Sequence, residues 1–443
     1  MNMTEALLPK SYHAAVERWR DFYLPDHGFL EASWEKHFPR EPRPKLCAWR
    51  ECGMCGVVEC GERKGEAKYE RVAEMPEEQA RHLFAMIRAQ ASTEFGSIQQ
   101  HQLTLSRARD EEEQVWVLRM MADELRHGYQ MLHLLVEDDW SAATGRGAAD
   151  LVEEILSIRT GDHVLGAFNV DFDSFVDNIV FCALIDRVGK YQLAMQRVSA
   201  YAPMAESMPQ MLREEAFHLA AGVVPMRRWV ERAARGSVEI GLGMLQKVLA
   251  KWVPRGLEMF GDERGGGSNV RWGFKPTRNA EAQEAYYQEL GRVVRDLNLR
   301  YLRARLPGLA LAEAEALLAR LEAERGSERG IRFEELLQLP HREFFRRRGV
   351  PAFRMVGLDG ELFTDREEYV RHLARVLPES YLAGRDFHDY LQQLDRVVRG
   401  ELEPGKAAAQ SPSLRRVGGV CPCSRAVRWV VDEAAPSAGT TAV

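Results

Sequence analysis

The chain has 443 residues, of which 45% are hydrophobic and 28% charged, and its formal net charge is -6 at pH 7. This composition is typical of a globular protein, and the acidic balance excludes a protein built mainly to bind nucleic acid. The longest apolar run, IVFCALI (179–185), is much shorter than the roughly 18 residues of a membrane span. We therefore expect no membrane partner.

The seven cysteines favour free thiols over a disulfide framework, because their number is odd and the N-terminus lacks a secretory pattern. A cytoplasmic location is the expectation. Four of them lie close together, at Cys47, Cys52, Cys55 and Cys60. This cluster leaves two interpretations open, a structural zinc site or a β-hairpin with the cysteines as small apolar residues, and the hairpin is favoured.

The N-terminal part is predicted to be helical and then β-prone, because glycines punctuate short β-prone pieces in 44–73. Pro76 and the two glutamates after it are a good helix start. Apolar residues then recur at helical spacing and predict a long helix over 75–108, followed by a second over 111–137.

A long connection, 138–170, contains one short predicted helix and separates the second long helix from the third, over 171–202. The fourth, over 206–233, follows an interruption at Pro203. Four long helices with one long crossover are typical of a ferritin-like bundle. The predicted fold class is therefore all-α, a ferritin-like four-helix bundle with a long crossover, extra helices and a small N-terminal β-prone segment.

Two more helices are predicted after the four long ones, over 237–258 and 279–305. The tail is rich in Pro, Ser, Ala and Gly, which favours loose order. The predicted organisation has four regions: an N-terminal helical and hairpin region (1–75), the bundle (76–260), a mostly helical C-terminal region (261–400) and a loosely ordered tail (401–443).

Two predicted helices each carry a Glu-x-x-His motif, Glu124 with His127 in ADELRHG and Glu215 with His218 in REEAFHL. Residues three apart lie on one face of a helix, so each pair can direct one oxygen and one nitrogen at the same point. A bundle core that gathers two such helices and one carboxylate from each of two other helices can bind two metal ions. The chain must therefore supply two further acidic residues.

Glu94, midway along the first predicted helix, and Asp186, in the apolar third helix, meet this requirement. Glu94 precedes Glu124 by 30 residues and Asp186 precedes Glu215 by 29. Because a helix rises about 1.5 Å per residue, such similar offsets place the carboxylates at one depth. Isolated buried carboxylates are costly unless they are paired or coordinated. A dinuclear metal site is predicted from Glu94, Glu124, His127, Asp186, Glu215 and His218.

The stretch AFNVDFDSFVDNIVFCALIDRVGKYQLA (167–194), followed by MLREEAFHLAAG (211–222), resembles the oxygenase component of the benzoyl-CoA 2,3-epoxidase family. More distantly it is similar to the catalytic subunit of phenylacetyl-CoA epoxidase. In that family a Glu, a Glu-x-x-His, the Asp of Asp-Arg-x-Gly-Lys and a second Glu-x-x-His hold the irons. These positions fall on the same six residues, with Asp186 in DRVGK. Where the family has two adjacent histidines, this chain has Phe217 and then His218.

The resemblance implies a di-iron, dioxygen-dependent monooxygenase that epoxidises an aromatic acyl-CoA thioester such as benzoyl-CoA or a related substrate. It also implies two iron ions as cofactor and electrons from a separate NAD(P)H-dependent reductase. The sequence has no dinucleotide fingerprint and no ferredoxin-type cysteine spacing, which agrees with a separate reductase. A non-oxygenase ferritin-like di-metal protein, such as an iron or manganese oxidase or storage protein, is the alternative. The oligomeric state stays open.

Several charged residues beside the six have two interpretations. Asp123 and Glu214 each precede a glutamate of the site, and they either orient its ligands or are surface charges. Arg187 and Lys190 either pair with carboxylates in the core or are solvated. His101, farther along the first helix, is interpreted as a core or surface histidine.

Overall fold

The structure is a computed structural model that describes residues 48–51, 53–105, 108, 110–237, 239–261, 267–349 and 352–404, with the backbone of 414–416 and 429–431. Long helices dominate these residues and confirm the all-α, ferritin-like fold class. None of the described helices has the length and apolar character that a membrane span requires.

The first half of the bundle is a helical hairpin. Helix α1 (Glu77–Leu105) packs along helix α2 (Glu111–Val136). The side chain of Asp110 caps α2 by accepting a hydrogen bond from the backbone N–H of Glu113. Three glutamates in the first turn of α2 add favourable charge at the positive end of the helix dipole.

The crossover between the two halves is long, as predicted. It carries helices α3 (Ser141–Thr144) and α4 (Ala148–Ser157) and a 3₁₀ turn (Gly166–Asn169). All three pack against α1. The buried amide of Gln100 on α1 donates hydrogen bonds to the carbonyls of Ala167 and Val170, which holds the crossover on the bundle.

The third bundle helix is shorter than predicted and is interrupted once. It consists of α5 (Phe175–Leu184) and α6 (Asp186–Gln196), with Ile185 between them. A capping box of Ser174 and Asp177 starts α5, so the expected start at 171 was too early. The interruption directly precedes Asp186, one of the six candidate residues.

Helix α7 (Ala202–Ala234) completes the bundle and packs against α5 and α6. Pro203 lies in its first turn, where a missing N–H costs nothing, so the helix starts earlier than the predicted 206. Gly222 lets α7 approach α5 closely, because a Cβ there would lie 2.3 Å from the backbone nitrogen of Ala183.

Helices outside the bundle cover its second half. Helix α8 (Leu242–Glu258) packs on α5, and α10 (Asn279–Arg305) packs on α7, with the short α9 (Ser268–Arg271) before it. The bounds of α10 are those predicted, and α8 starts later than the predicted 237. The remaining elements are α11 (Leu311–Glu324), the antiparallel pair β1 (Ser327–Glu328) and β2 (Ile331–Arg332), a 3₁₀ turn (Phe333–Glu335), α12 (Arg366–Val376), α13 (Glu379–Leu382), α14 (Arg385–Val398), and the antiparallel pair β3 (Leu414–Arg416) and β4 (Trp429–Val431).

The N-terminal β-prone segment forms less regular structure than a hairpin. Among the described residues between 53 and 76 the antiparallel pairing is a single bridge, Val57 with Ala67, and Tyr69 makes a parallel bridge to Tyr201. The helix predicted near the N-terminus and most of the predicted tail lie outside the described residues. The division into four regions stays a prediction.

Two apolar clusters form the core. One lies around α1 and α2 and the crossover, and the other runs from Ala167 to Leu402 through α5, α7, α8 and α10 into the C-terminal helices. The second cluster therefore joins the bundle to the helices that follow it. The six candidate residues lie between the two hairpins of the bundle, where these clusters hold the backbone in place.

Candidate metal centre

The structure brings the six candidate residues together in the middle of the bundle. Atoms of Glu94, Glu124 and His127 lie within 4.8 Å of one another, and so do atoms of Glu124, Asp186 and His218. Either group could hold a metal ion. Glu124 belongs to both groups, so the two groups share one carboxylate. Glu215 joins the second group, with its Oε2 atom 3.7 Å from Nδ1 of His218.

Both imidazole rings direct Nδ1 at the carboxylates. Nδ1 of His127 lies 3.8 Å from Oε2 of Glu94 and 3.8 Å from Oε2 of Glu124. Nδ1 of His218 lies 3.8 Å from Oε1 of Glu124 and 3.8 Å from Oδ2 of Asp186. Both histidine side chains are fully buried, and each half of the bundle supplies one imidazole ring.

The other nitrogen of each ring faces a second carboxylate across the bundle. Nε2 of His127 lies 2.9 Å from Oε2 of Glu214, which also pairs with Arg126. Nε2 of His218 lies 3.5 Å from Oδ2 of Asp123. The side chains of Asp123 and Glu214 are only 13% and 18% exposed. The orienting role agrees with the placement of Glu214, which forms a hydrogen bond with His127. Asp123 lies beside His218 without a hydrogen bond, and neither residue is a surface charge.

Burial and mutual repulsion shift the carboxyl pKa values. Burial, followed by the charges of Glu94 and Asp186, raises the pKa of Glu124 well above its usual value. Burial raises the pKa of Asp186 to about 6, and burial followed by the charge of Asp186 raises the pKa of Glu215 well above its usual value. Burial opposes ionisation of Glu94 too, but the imidazole of His127 holds the pKa of Glu94 below its usual value. A bound cation would relieve this repulsion.

Four inward-facing atoms of the centre have no hydrogen-bond partner among the described residues: Nδ1 of His127, Oδ2 of Asp186, Oε2 of Glu215 and Nδ1 of His218. Buried polar atoms are nearly always satisfied, so these atoms fit a bound ligand. Four carboxylates with two imidazoles suit iron or manganese. The residues present therefore fit a pair of metal ions, although their assignment as ligands stays a prediction.

The DRVGK segment is held by a residue that the sequence did not reveal. Glu289 on α10 accepts hydrogen bonds from Lys190 at 2.9 Å and from the hydroxyl of Tyr191 at 2.6 Å, and it pairs with Arg187. Arg187 and Lys190 therefore pair with a carboxylate on a neighbouring helix instead of the bundle core. Nothing in the local sequence distinguishes Glu289 from the other glutamates of α10.

Two more residues touch the centre without being predicted. A Cβ at Gly189 would lie 2.7 Å from Oε1 of Glu215, so any larger residue there would require that carboxylate to shift. Cys182 is fully buried four residues before Asp186, and burial, followed by the charge of Asp186, raises the pKa of its thiol well above the usual value. The spacing of four residues in an apolar helix was a signal that could have identified Cys182.

One further candidate from the sequence, His101, lies in the apolar core. His101 is fully buried, and its ring contacts the aromatic rings of Trp116, Phe172 and Phe181, which agrees with a core histidine. Neither ring nitrogen has a hydrogen-bond partner among the described residues. Burial lowers the pKa of His101 to about 3, so the ring is neutral.

The cysteine cluster is only partly described, since Cys47 and Cys52 lie outside the described residues. Cys55 is exposed, and Sγ of Cys60 donates a 3.4 Å hydrogen bond to the carbonyl of Lys275. The choice between a zinc site and a hairpin stays open.

A cavity of about 170 Å³ opens beside the carboxylates, between α1 and α6. Glu94, Glu124, Asp186 and Glu215 form part of its wall. Much of the rest of the wall is apolar, with Leu165, Phe168, Ile185, Leu193, Met259 and Phe260. A mostly apolar lining with a few polar groups is typical of small-molecule sites.

Comparison with known proteins places this centre in a family. Residues 62–305, which include all six candidate residues, match the family model described as phenylacetic acid catabolic protein. The chain is also 31% identical over 188 residues to benzoyl-CoA oxygenase component B of Aromatoleum evansii. That alignment covers 41% of this chain and 37% of the relative, so it spans little more than a third of the relative's length. The family match covers more than half of the chain and agrees with the resemblance seen in its motifs, and the chain belongs to the phenylacetic acid catabolic protein family.

Proposed function

We propose that this protein is a di-iron, dioxygen-dependent monooxygenase that epoxidises an aromatic acyl-CoA thioester, such as benzoyl-CoA or a related substrate. The observation that carries the proposal is the convergence of two Glu-x-x-His helices and two lone carboxylates on one buried point. Membership of a family described by aromatic acid catabolism supports it, as does the name of the oxygenase relative.

In this proposal Glu94, Glu124, His127, Asp186, Glu215 and His218 would hold the iron pair. When bound, the iron pair supplies the redox chemistry with dioxygen, and the protein supplies ligands, orientation and a dry cavity. Nε2–H of His127 donates a hydrogen bond to Glu214, so Nδ1 of the neutral ring carries no proton and is free to bind a metal.

The cavity supports the choice of an organic substrate. An aromatic ring bound there would bury its apolar surface against the apolar wall, and this burial favours binding. A ring bound in the cavity would lie beside the four carboxylates that form part of its wall.

The electrons come from a separate NAD(P)H-dependent reductase. Within the described part of the chain, the groups of His, Cys, Asp and Glu that could hold a metal all belong to this one centre. The relative's name, component B, supports a system of several proteins. A reductase therefore has to bind the outside of the bundle and deliver its electrons to the buried centre.

Elemental analysis of the purified full chain tests the centre. We expect about two irons per chain in the wild type, as in other carboxylate bundles, and a large loss of iron in Glu124→Ala and His218→Ala. Glu231→Ala removes a partly exposed carboxylate that pairs with Arg300 on the outside of the bundle and serves as the matched control. A wild type without iron after anaerobic loading with ferrous ion refutes the proposal.

Isotope labelling tests the reaction. The iron-loaded protein is mixed with a reductase, NADPH, benzoyl-CoA and ¹⁸O-labelled dioxygen, and the product mass is measured. One labelled oxygen atom in the thioester product supports a monooxygenase. Iron oxidation without any labelled product, across a panel of aromatic acyl-CoA thioesters, favours instead the oxidase or storage protein.

A further inference from the structure

One wall of the cavity is a single face of α6, which carries Asp186, Gly189, Gln192 and Gln196. Because a helix rises about 1.5 Å per residue, Gln192 lies about 9 Å along the helix from Asp186 and Gln196 lies about 15 Å from it. The cavity therefore has an inner end at the carboxylates and an outer end with two amide side chains. Asp186 at the inner end and Gln196 at the outer end are both buried, and Gln192 between them is half-buried.

The volume of the cavity limits what it can enclose. An apolar cavity of about 150 Å³ is known to hold one benzene molecule. At about 170 Å³, this cavity has room for one aromatic ring and the carbonyl attached to it. A coenzyme A thioester is far larger, so with the ring at the carboxylates the atoms beyond its carbonyl extend along Gln192 and Gln196. Polar groups there would contact the thioester linkage.

Hydrogen bonding at the outer end sets the direction of one amide. Nζ of Lys275 donates hydrogen bonds to Oε1 of Gln192 at 2.8 Å and to Oδ1 of Asn279 at 3.2 Å. An ammonium group cannot accept a hydrogen bond, so the oxygen of Gln192 faces the lysine and its NH₂ group is the end that remains to donate. Lys275 thus orients the amide of Gln192.

The second amide side chain, that of Gln196, has an unpaired acceptor instead of a donor. Gln196 is 4% exposed, and its Oε1 atom is buried with no hydrogen-bond partner among the described residues. A buried acceptor without a partner is costly, so a ligand that donates an N–H to Gln196 would recover this loss. The outer half of the cavity therefore offers a donor at Gln192 and, one helical turn farther out, an acceptor.

The order and spacing of these groups match an acyl thioester of a pantetheine-type thiol. Its carbonyl carbon is followed by four single bonds that lead to an amide nitrogen, a reach of about 5 Å. Residues four apart on a helix are about 6 Å apart along the axis. With the ring at the carboxylates, the carbonyl lies nearer to Gln192 and the amide N–H nearer to Gln196.

We propose that Gln192 and Gln196 form the subsite that recognises the thioester linkage of the substrate. The amide of Gln192 donates to the carbonyl oxygen of the aromatic acyl group, and Oε1 of Gln196 accepts the first amide N–H beyond the sulfur. Lys275 is a positioning residue that acts through Gln192. The assignment rests on the proposed function for its reaction, but the binding step requires no metal.

Binding of truncated substrates to the metal-free full chain tests the subsite. The probes are S-benzoyl-N-acetylcysteamine, which has the thioester and one amide, S-methyl thiobenzoate, which has the thioester alone, and benzoate. Titration calorimetry measures Kd for the wild type and for Gln192→Met and Gln196→Met. Gln288→Met changes an exposed glutamine on α10 and is the matched control.

We expect Gln192→Met to weaken both thioesters about tenfold, the effect of one lost hydrogen bond. Gln196→Met weakens S-benzoyl-N-acetylcysteamine by a similar factor and leaves S-methyl thiobenzoate unchanged, because the latter has no amide. Equal binding of all probes by wild type, Gln192→Met and Gln196→Met overturns the proposal. Tighter binding of benzoate than of either thioester overturns it too and indicates a free carboxylate as the ligand.

The role of Lys275 has its own readout. Lys275→Met should weaken the two thioesters as Gln192→Met does, and the double variant should be no weaker than either single variant, since both act on one hydrogen bond. Lys275→Arg keeps a donor and should recover part of the affinity. Additive losses in the double variant contradict the positioning role.

Iron content separates the two proposals. We expect Gln192→Met and Gln196→Met to hold as much iron as the wild type, because neither residue belongs to the metal centre. Probe binding by a chain that takes up no iron refutes the proposed function and leaves the subsite standing. If the protein takes up iron and incorporates oxygen, but both variants bind the probes as the wild type does, the subsite is refuted and the proposed function is not.

Discussion

Nε2 of His127 lies 2.9 Å from Oε2 of Glu214, the residue immediately before Glu215 on the opposite half of the bundle. The relation recurs in reverse, since Nε2 of His218 faces Asp123, immediately before Glu124, at 3.5 Å. Glu214 therefore orients the imidazole of His127 from the other half of the bundle, whereas Asp123 approaches His218 without a hydrogen bond. A neutral imidazole whose Nε2–H donates a hydrogen bond to a carboxylate has an unprotonated Nδ1, and here Nδ1 faces the centre.

Replacing Glu214 with glutamine should weaken iron binding without removing a ligand. The negative carboxylate of Glu214 stabilises the positive charge that the imidazole of His127 gains when it binds a metal, and a neutral amide does not. Loss of such partners typically costs about 10–100-fold in metal affinity. Competition with a chelator measures the affinity of Glu214→Gln and of the control Glu231→Gln. Equal affinity in both variants would show that Glu214 does not act through His127.

Gly189→Ala should lower the iron content although it favours the helix. Alanine in a helix interior is more stable than glycine by about 1 kcal/mol where space allows. At this position its Cβ would lie 2.7 Å from Oε1 of Glu215 and displace the carboxylate. Gly243→Ala, in α8 with no atom within 4 Å of its Cβ, is the control and should keep its iron. Wild-type iron content in Gly189→Ala would contradict the close approach.

Glu289→Gln should destabilise the protein in a pH-dependent manner. Burial raises the pKa of Glu289, but hydrogen bonds from Tyr191 and Lys190 and the charge of Arg187 outweigh it and lower the pKa from 4.5 to about 2. A carboxyl group with a lowered folded-state pKa stabilises fully above pH 4.5, and this contribution is lost as the pH falls towards 2.

We expect Glu289→Gln to lower the free energy of unfolding at pH 7 by about 2 kcal/mol, and the difference from wild type to shrink as the pH falls. Urea unfolding between pH 3 and 7 measures it. Glu284→Gln removes an exposed pair with Arg342 and should change the free energy by less than about 0.5 kcal/mol. A loss in Glu289→Gln that is independent of pH would contradict the ion-pair argument.

Alkylation should distinguish the thiols of Cys55 and Cys182. Cys55 is exposed, whereas Cys182 is fully buried and burial raises the pKa of its thiol well above the usual value. The thiolate is the reactive form, so iodoacetamide should modify Cys55 in the native protein and Cys182 only after unfolding. Peptide mass analysis measures both. Native labelling of Cys182 at the rate of Cys55 would mean that the centre is open to solvent.

The helical period and the two Glu-x-x-His motifs were enough to predict the bundle, its long crossover and the six residues that meet at its centre. This was possible because the spacing of residues along a helix determines which side chains share a face. Membership of the family, seen first as a resemblance in the DRVGK and Glu-x-x-His segments, was confirmed by the family match over 62–305.

The sequence by itself determined which residues are candidate metal ligands and which helices carry them, since that information is local and periodic. Only the tertiary structure decided that Asp123 and Glu214 cross the bundle to opposite histidines, that Glu289 on α10 holds the DRVGK segment, and that Gly189 makes room for Glu215. These contacts join residues far apart in the chain. They depend on how helices pack side by side, and no spacing within one helix carries that information.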